Sequence, residues 1–338
     1  MENRKIGIQH LIFDSVRQRL PVHISLVHEI AETLGVSYDS AYRRLRGDKD
    51  LTIEELRILS HKFQISVDLL MGINNSDIIF HPFVMKGNEG FEDWLRLRIM
   101  ELKKINESAD KELTIVARDV PVWQYFNFPE LAAFKIYFWK KMLLHDPEYR
   151  NMKFSFSLLS DNLLSLGSKL LAMYNSVSSI EIWSQETFHR IMQQIDFCRI
   201  SGFFTHNNDW MLLLEKLEAL IHHIQFQTEM GFKFNPGYTF TENEAENFII
   251  YFNELLLIDN TLLAKRDGLR TVFMTHNSLD ILLTTNPDFC YQVEHALKTI
   301  IKTGNKISGT EGTECQRIFN GIYKKLEFYK SEPAGYNY

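Results

Sequence analysis

Between residues 25 and 50 the chain reads SLVHEIAETLGVSYDSAYRRLRGDKD. Two short amphipathic segments separated by a glycine leave few folds open. Leu26, Val27, Ile30, Ala31 and Leu34 fall on one stripe at helical spacing. Gly35 stands where a helix ends in a left-handed residue, Val36 follows as an aliphatic plug for the bend, and Ser37 is a favourable N-cap for a second helix. In that second helix Ala41 and Leu45, four apart, face inward, so Tyr38, Asp39, Tyr42 and Arg43 fall outward or to the side. Ala31, small, lets the two helices approach each other.

The flanks carry matching signals. Ile8, Leu11, Ile12 and Val16 share a face of an earlier helix over 8–19, which Pro21 stops. Thr52 and Glu55 form the T-x-x-E capping box of a later helix whose inner face is Leu56, Leu59 and Phe63. Ser66, Val67, Leu69 and Leu70 close the set with a short helix that ends at Gly72.

In this order of elements, Ala31, Gly35, Val36, Ser37, Gly47, Leu56, Leu59, Ser66, Val67 and Leu70 resemble, at their spacings, the XRE-type (Cro/repressor-like) helix-turn-helix family. The resemblance covers residues 8–72, a fifth of the chain. It implies a five-helix DNA-binding domain, dimeric on a palindromic operator. Two positions depart from the family: Leu26 and Val27 stand where it often has Thr-Gln, and Arg44 and Leu45 where it often has Trp-Glu. Base-reading residues are therefore assigned from helix position: Tyr38, Asp39, Ser40 and Arg43, polar groups able to reach base edges in a major groove. Ser37, Arg44, Arg46 and Lys49 are assigned to the DNA backbone, where a contact fixes position and carries no sequence information.

Overall charge gives DNA no help. Residues 1–75 balance ten Lys and Arg against ten Asp and Glu, so the whole net charge of −6 lies beyond them. Any attraction must come from a local basic patch.

The rest of the chain is less explicit. Residues 76–110 read as a linker and an amphipathic connecting or dimerisation helix, with Phe91, Trp94, Leu95, Ile99, Leu102 and Ile105 in register. Packing of that helix on its own domain is the alternative. LTIVAR at 113–118 reads as a strand. From Trp123 to Trp139 come eight aromatic residues. They read as core or dimer interface, or as an effector pocket built from Trp123, Tyr125, Phe126, Phe134 and Phe138. Helices are expected over 185–200, 209–230, 287–301 and 313–329. ELLLID, TLLAK and RTVFMTH, separated by Asp259-Asn260 and Asp267-Gly268, read as a small antiparallel meander. The expected fold class is thus multi-domain: an all-α five-helix N-terminal domain (1–75), the linker and helix (76–110), a large helix-rich α+β dimerisation or effector domain with a small antiparallel sheet (111–330), and a flexible tail (331–338).

Motifs for chemistry are missing. No GxGxxG, Walker A, GxSxG or HExxH pattern occurs. His222 and His223 are adjacent and cannot chelate one ion from a helix, and Cys198, Cys290 and Cys315 match no metal spacing. No cofactor and no catalytic residue are expected. TGNKISGTEGTE at 303–314 lacks the P-loop lysine position and reads as a surface loop. Three scattered cysteines fit a reducing compartment. The most apolar run, FIIYFNELLLI at 248–258, is too short for a span, so a cytoplasmic protein without a membrane partner is expected. These readings converge on a one-component transcription regulator: double-stranded DNA as partner, a homodimer, and a small-molecule effector on the large domain. A protein-interaction scaffold with a degenerate helical module, and an enzyme with an appended DNA-binding module, are the alternatives.

Overall fold

A computed structural model of the chain describes residues 7–20, 24–63, 65–71, 78–83, 90–239, 245–255, 258–276, 279–309 and 313–331. Pro21, Gly72, most of the expected linker and the expected tail beyond Ser331 lie outside these residues. The chain divides into two compact units, Met1–Ile78 and Ile79–Tyr338.

Among the described residues the smaller unit holds five helices: α1 (Ile8–Arg19), α2 (Leu26–Leu34), α3 (Tyr38–Arg46), α4 (Ile53–Phe63) and α5 (Val67–Met71). Its core is Ile12, Phe13, Val16, Ile30, Ala31, Ala41, Leu59, Phe63 and Ile65. The α2–α3 connection follows from Gly35, which takes φ 64° and ψ 33°, a conformation that costs an L-residue roughly 1–2 kcal/mol. The Val36 N–H then donates to the Ala31 carbonyl, closing the turn.

The larger unit is built on one eight-stranded mixed sheet. In chain order its elements are β1 (His81–Phe83), α6 (Phe91–Asn106), β2 (Lys111–Ala117), α7 (Pro129–Phe138), α8 (Asp161–Asn175), β3 (Ser179–Trp183), α9 (Glu186–Ile200) and α10 (Asp209–Met230). Then follow β4 (Phe248–Phe252), β5 (Thr261–Arg266), β6 (Leu269–Thr275), β7 (Ile281–Thr284), α11 (Pro287–Thr303), β8 (Asn305–Lys306) and α12 (Thr313–Ser331). Strand order is β1-β7-β6-β5-β2-β3-β4-β8. β2, β3 and β4 run parallel, and the other neighbours are antiparallel.

The small antiparallel sheet expected from sequence is therefore corrected to a larger mixed one. The meander exists as β5, β6 and β7, with Asp267 at φ 46° and Gly268 at φ 79° in the β5–β6 turn. ELLLID contributes no strand among the described residues; the strand lies just before it, at β4. Parallel neighbours need long crossovers, and the helices between β2, β3 and β4 supply them.

Both sheet faces are covered. Leu113, Ile115 and Ala117 of β2 enter the main core with α6 to α10 and α12, while Val116 enters a second cluster with Cys290 and Leu297 of α11. That double burial explains why β2 reads as a continuous apolar run without alternation. Of the two readings of α6, its burial fits packing on its own domain: Phe91, Trp94, Leu95, Ile99, Leu102 and Ile105 are all buried in the main core. No helix among the described residues is long and apolar enough to cross a membrane.

Candidate nucleic-acid interface and an internal cavity

α3 is short and is held from behind. Ser37 caps it, its Oγ accepting from the Ser40 N–H at 3.3 Å. Ala41 is buried, and Arg44, only 3% exposed, lies on the inner side. The Arg44 guanidinium donates to Glu55 at 3.1 and 2.5 Å, to the Ser40 carbonyl at 3.0 Å and to Ser40 Oγ at 2.6 Å. Glu55 also accepts the Thr52 N–H at 3.0 Å, and Thr52 Oγ1 accepts the Glu55 N–H at 3.1 Å. The capping box of α4 thus doubles as the anchor for α3. Desolvation opposes the Glu55 charge, but the hydrogen bonds from Arg44 and Thr52 outweigh it and hold the carboxyl below its ordinary pKa.

This geometry corrects the assignment of Arg44 to a phosphate. Its charge is already paired, and an exposed phosphate is out of its reach. Ser40 is half-buried with its hydroxyl committed to Arg44, so it too leaves the outward set. Ser37 is exposed, but its oxygen serves the helix end.

What remains outside is coherent. Tyr38 is 58% exposed and Tyr42 45%, and Asp39, Arg43, Arg46 and Lys49 are exposed as well. Asp39, Tyr42, Arg43 and Arg46 follow the i, i+3, i+4, i+7 pattern of one helix face. Arg43 makes no side-chain hydrogen bond or ion pair among the described residues. Arg46 bonds Asp48 and lies 5.2 Å from the centroid of the Tyr42 ring. Such an exposed pair is weak and exchanges readily for another anion.

Sequence reading missed Gln9. From α1 its Nε2 donates to the Arg44 carbonyl at 2.8 Å and the Lys49 carbonyl at 2.9 Å, and its Oε1 accepts the Leu51 N–H at 2.8 Å. It thereby ties down the segment that follows α3. The signal was available: Gln9 falls on the same stripe as Phe13 and Val16, and a polar side chain on a core-facing stripe needs partners.

The larger unit contains a cavity of about 220 Å³. Only Trp123 of the five expected effector-pocket residues lines it. Tyr125 is buried with its hydroxyl donating to Asp119 at 2.9 Å. Phe126 fills the space over Gly167, where an added Cβ would come within 1.9 Å of the ring. Phe134 packs edge-on to Phe154 at 5.7 Å, and Phe138 tilts against Phe134 at 6.1 Å. The pocket assignment of those four is corrected: Tyr125, Phe126 and Phe134 are buried in the main core, and Phe138, half-buried, packs against it. Trp139, at the other end of the same stretch, and Trp94 and Phe273 from outside it supply the cavity's other rings.

The described part of 303–309 serves the sheet. The Ile307 N–H donates to the Ile250 carbonyl, and Ser308 Oγ accepts the Ile250 N–H at 3.1 Å. All three cysteines are free and buried. Among the described residues no group of three or more His, Cys, Asp or Glu is placed to hold a metal ion.

Compared with known proteins, the chain matches no family model, no curated protein and no solved structure.

Proposed function

We propose that the smaller unit is a helix-turn-helix module of XRE type that binds duplex DNA through α3, and that the chain is a one-component transcription regulator. The reading rests on one observation. A nine-residue helix is pinned from inside by Arg44–Glu55 and Gln9, and carries Tyr38, Asp39, Tyr42 and Arg43 on its outer side. A helix that reads bases needs this combination: polar reach at its N-terminal half, and a rigid seat so that the reach is pre-ordered. Arg43 pairs bidentately with a guanine and Asp39 accepts from a cytosine amino group. Arg46 and Lys49, at and beyond the helix end, take phosphates. The protein acts as a dimer on two half-sites, and the larger unit supplies the dimer contact and takes an effector that shifts operator affinity.

The salt dependence of DNA binding tests this reading. Fluorescence anisotropy on a labelled genomic fragment pool, run from 50 to 200 mM salt, is expected to show a log–log slope that falls by about 1 in Arg46→Ala. A slope unchanged in Arg46→Ala and Lys49→Ala removes the phosphate assignments. The net neutrality of residues 1–75 favours a second reading, a module that binds protein; binding to the DNA pool that is absent even at 50 mM salt would establish it over the first.

A further inference from the structure

The cavity of the larger unit has apolar walls and two cationic side chains. Arg98 of α6 and Arg190 of α9 both line it, alongside the rings of Trp94, Trp123, Trp139 and Phe273. The Arg98 guanidinium lies 5.6 Å from the centroid of the Trp94 ring. Removal from water lowers its pKa to about 10, against the opposing pull of Glu101. Arg190 Nε is buried and has no hydrogen-bond partner among the described residues. A buried guanidinium nitrogen left without an acceptor is costly, and an anion placed in the cavity is the acceptor it lacks.

The acids of the same wall do not supply one. Asp119 accepts the Tyr125 hydroxyl on one oxygen and the Lys135 ammonium on the other, both at 2.9 Å. Lys135 is itself fully buried, 5.0 Å from the centroid of the Trp139 ring. Glu101 accepts from Lys104 at 2.9 Å. Asp119 and Glu101 are thus each held by a lysine, and neither supplies the acceptor that Arg190 Nε lacks.

Size narrows the ligand further. A cavity of about 150 Å³ admits benzene. One of about 220 Å³ admits a ring, or two fused rings, with a short arm. Three indoles around the space favour a flat body, and guanidinium groups favour a carboxylate that accepts two parallel bonds.

We propose that this cavity binds a small aromatic carboxylate, its ring among Trp94, Trp123 and Trp139 and its carboxylate on Arg190. The proposal deepens the effector part of the reading above and stands independently of whether α3 binds DNA.

Calorimetry on the full chain tests it with five probes: indole-3-acetate, its neutral amide, acetate, benzoate and phenylacetate. Indole-3-acetate binds at least about tenfold more tightly than the amide, and acetate gives no heat, since the arm alone lacks the ring contacts. Arg190→Gln lowers affinity for the acid by about tenfold or more, leaves the amide unchanged, and Arg190→Lys restores part of the loss. Equal affinities for acid and amide on the wild-type chain overturn the proposal, as does the lack of heat with indole-3-acetate, benzoate and phenylacetate alike. The acid-to-amide ratio needs no variant, so it decides the matter even where Arg190→Gln unfolds. DNA binding is measured on the same samples. Ligand heat without DNA binding contradicts only the α3 reading, and DNA binding without ligand heat contradicts only this one.

Discussion

Arginine plays different parts in the two units. In the smaller unit Arg44 is buried against a carboxylate that the fold itself provides, while its neighbour Arg43 stands outside without a partner among the described residues. In the larger unit Arg98 and Arg190 line an internal cavity whose acids are already matched by lysines. The same side chain is a pin at Arg44, and in the two proposals a surface reader at Arg43 and a grip for a small anion at Arg190. What separates the pin from the two proposed roles is that its matching negative charge comes from the same domain. Adjacent residues in a sequence RR give no hint of this, because a helix turns them 100° apart and only one meets Glu55.

The comparison breaks most readily at the pin. Arg44→Met leaves Glu55 half-buried without its main partner, and removing one member of such a pair costs about 3–5 kcal/mol. Urea denaturation, with hydrogen exchange on α3 amides to report the smaller unit, is expected to show that loss, and Glu55→Met in the same chain should return part of it. A cost near zero would mean that Arg44 is no pin and that the seat of α3 lies elsewhere.

A buried base without a carboxylate makes stability depend on pH. His223 of α10 is 7% exposed and hydrogen-bonds the Phe234 carbonyl at 2.9 Å. Burial lowers its pKa to about 4, with that hydrogen bond opposing. The unfolded chain, titrating near 6.5, binds the proton first, so stability is complete above 6.5 and is lost as pH falls toward 4. The loss amounts to about 3 kcal/mol across that window. Between pH 7 and 4.5 the urea midpoint of the wild type is expected to fall further than that of His223→Gln; parallel pH profiles for the two proteins would contradict the assignment.

The smallest effect concerns the turns. Gly35 at φ 64° in the smaller unit and Gly268 at φ 79° in the larger one each have open space where a Cβ would sit. Alanine at either position is expected to cost about 1 kcal/mol through the backbone alone. Unequal costs, read from thermal or urea midpoints, would reveal a packing role that one turn has and the other lacks.

The smaller unit was the more legible because its determinants are local. Gly35, Ser37 and the Thr52–Glu55 box act over three or four residues, and the structure places each where its chemistry requires. In the larger unit, the Asp267-Gly268 hairpin was legible for the same reason. β3 was not. SIEIW carries a glutamate at its centre, and Glu181 is fully buried because Tyr174, Ser179 and Trp183 hydrogen-bond it at 2.5, 3.0 and 2.9 Å. Lys233, from beyond α10, adds its charge to the same network. β4 was seen only as an apolar run, since pairing to a parallel neighbour leaves no local mark. The candidate site divides likewise. The outward residues of α3 followed from helix phase, whereas the burial of Arg44 needed knowledge of where α4 lies. The aromatic stretch marked core but not the cavity, whose rings combine Trp123 and Trp139 at its two ends with Trp94 and Phe273 from elsewhere in the chain.

The central claim is that the outer face of α3 reads base sequence. Selection of bound duplexes from a random library by the full chain tests it most directly, with Arg43→Ala run beside the wild type. A recurring motif containing guanine at one position, with Arg43→Ala losing about 1–3 kcal/mol on it and relaxing the preference there, is the result expected. Duplexes recovered without any shared sequence, or a motif bound equally well by Arg43→Ala, would contradict it.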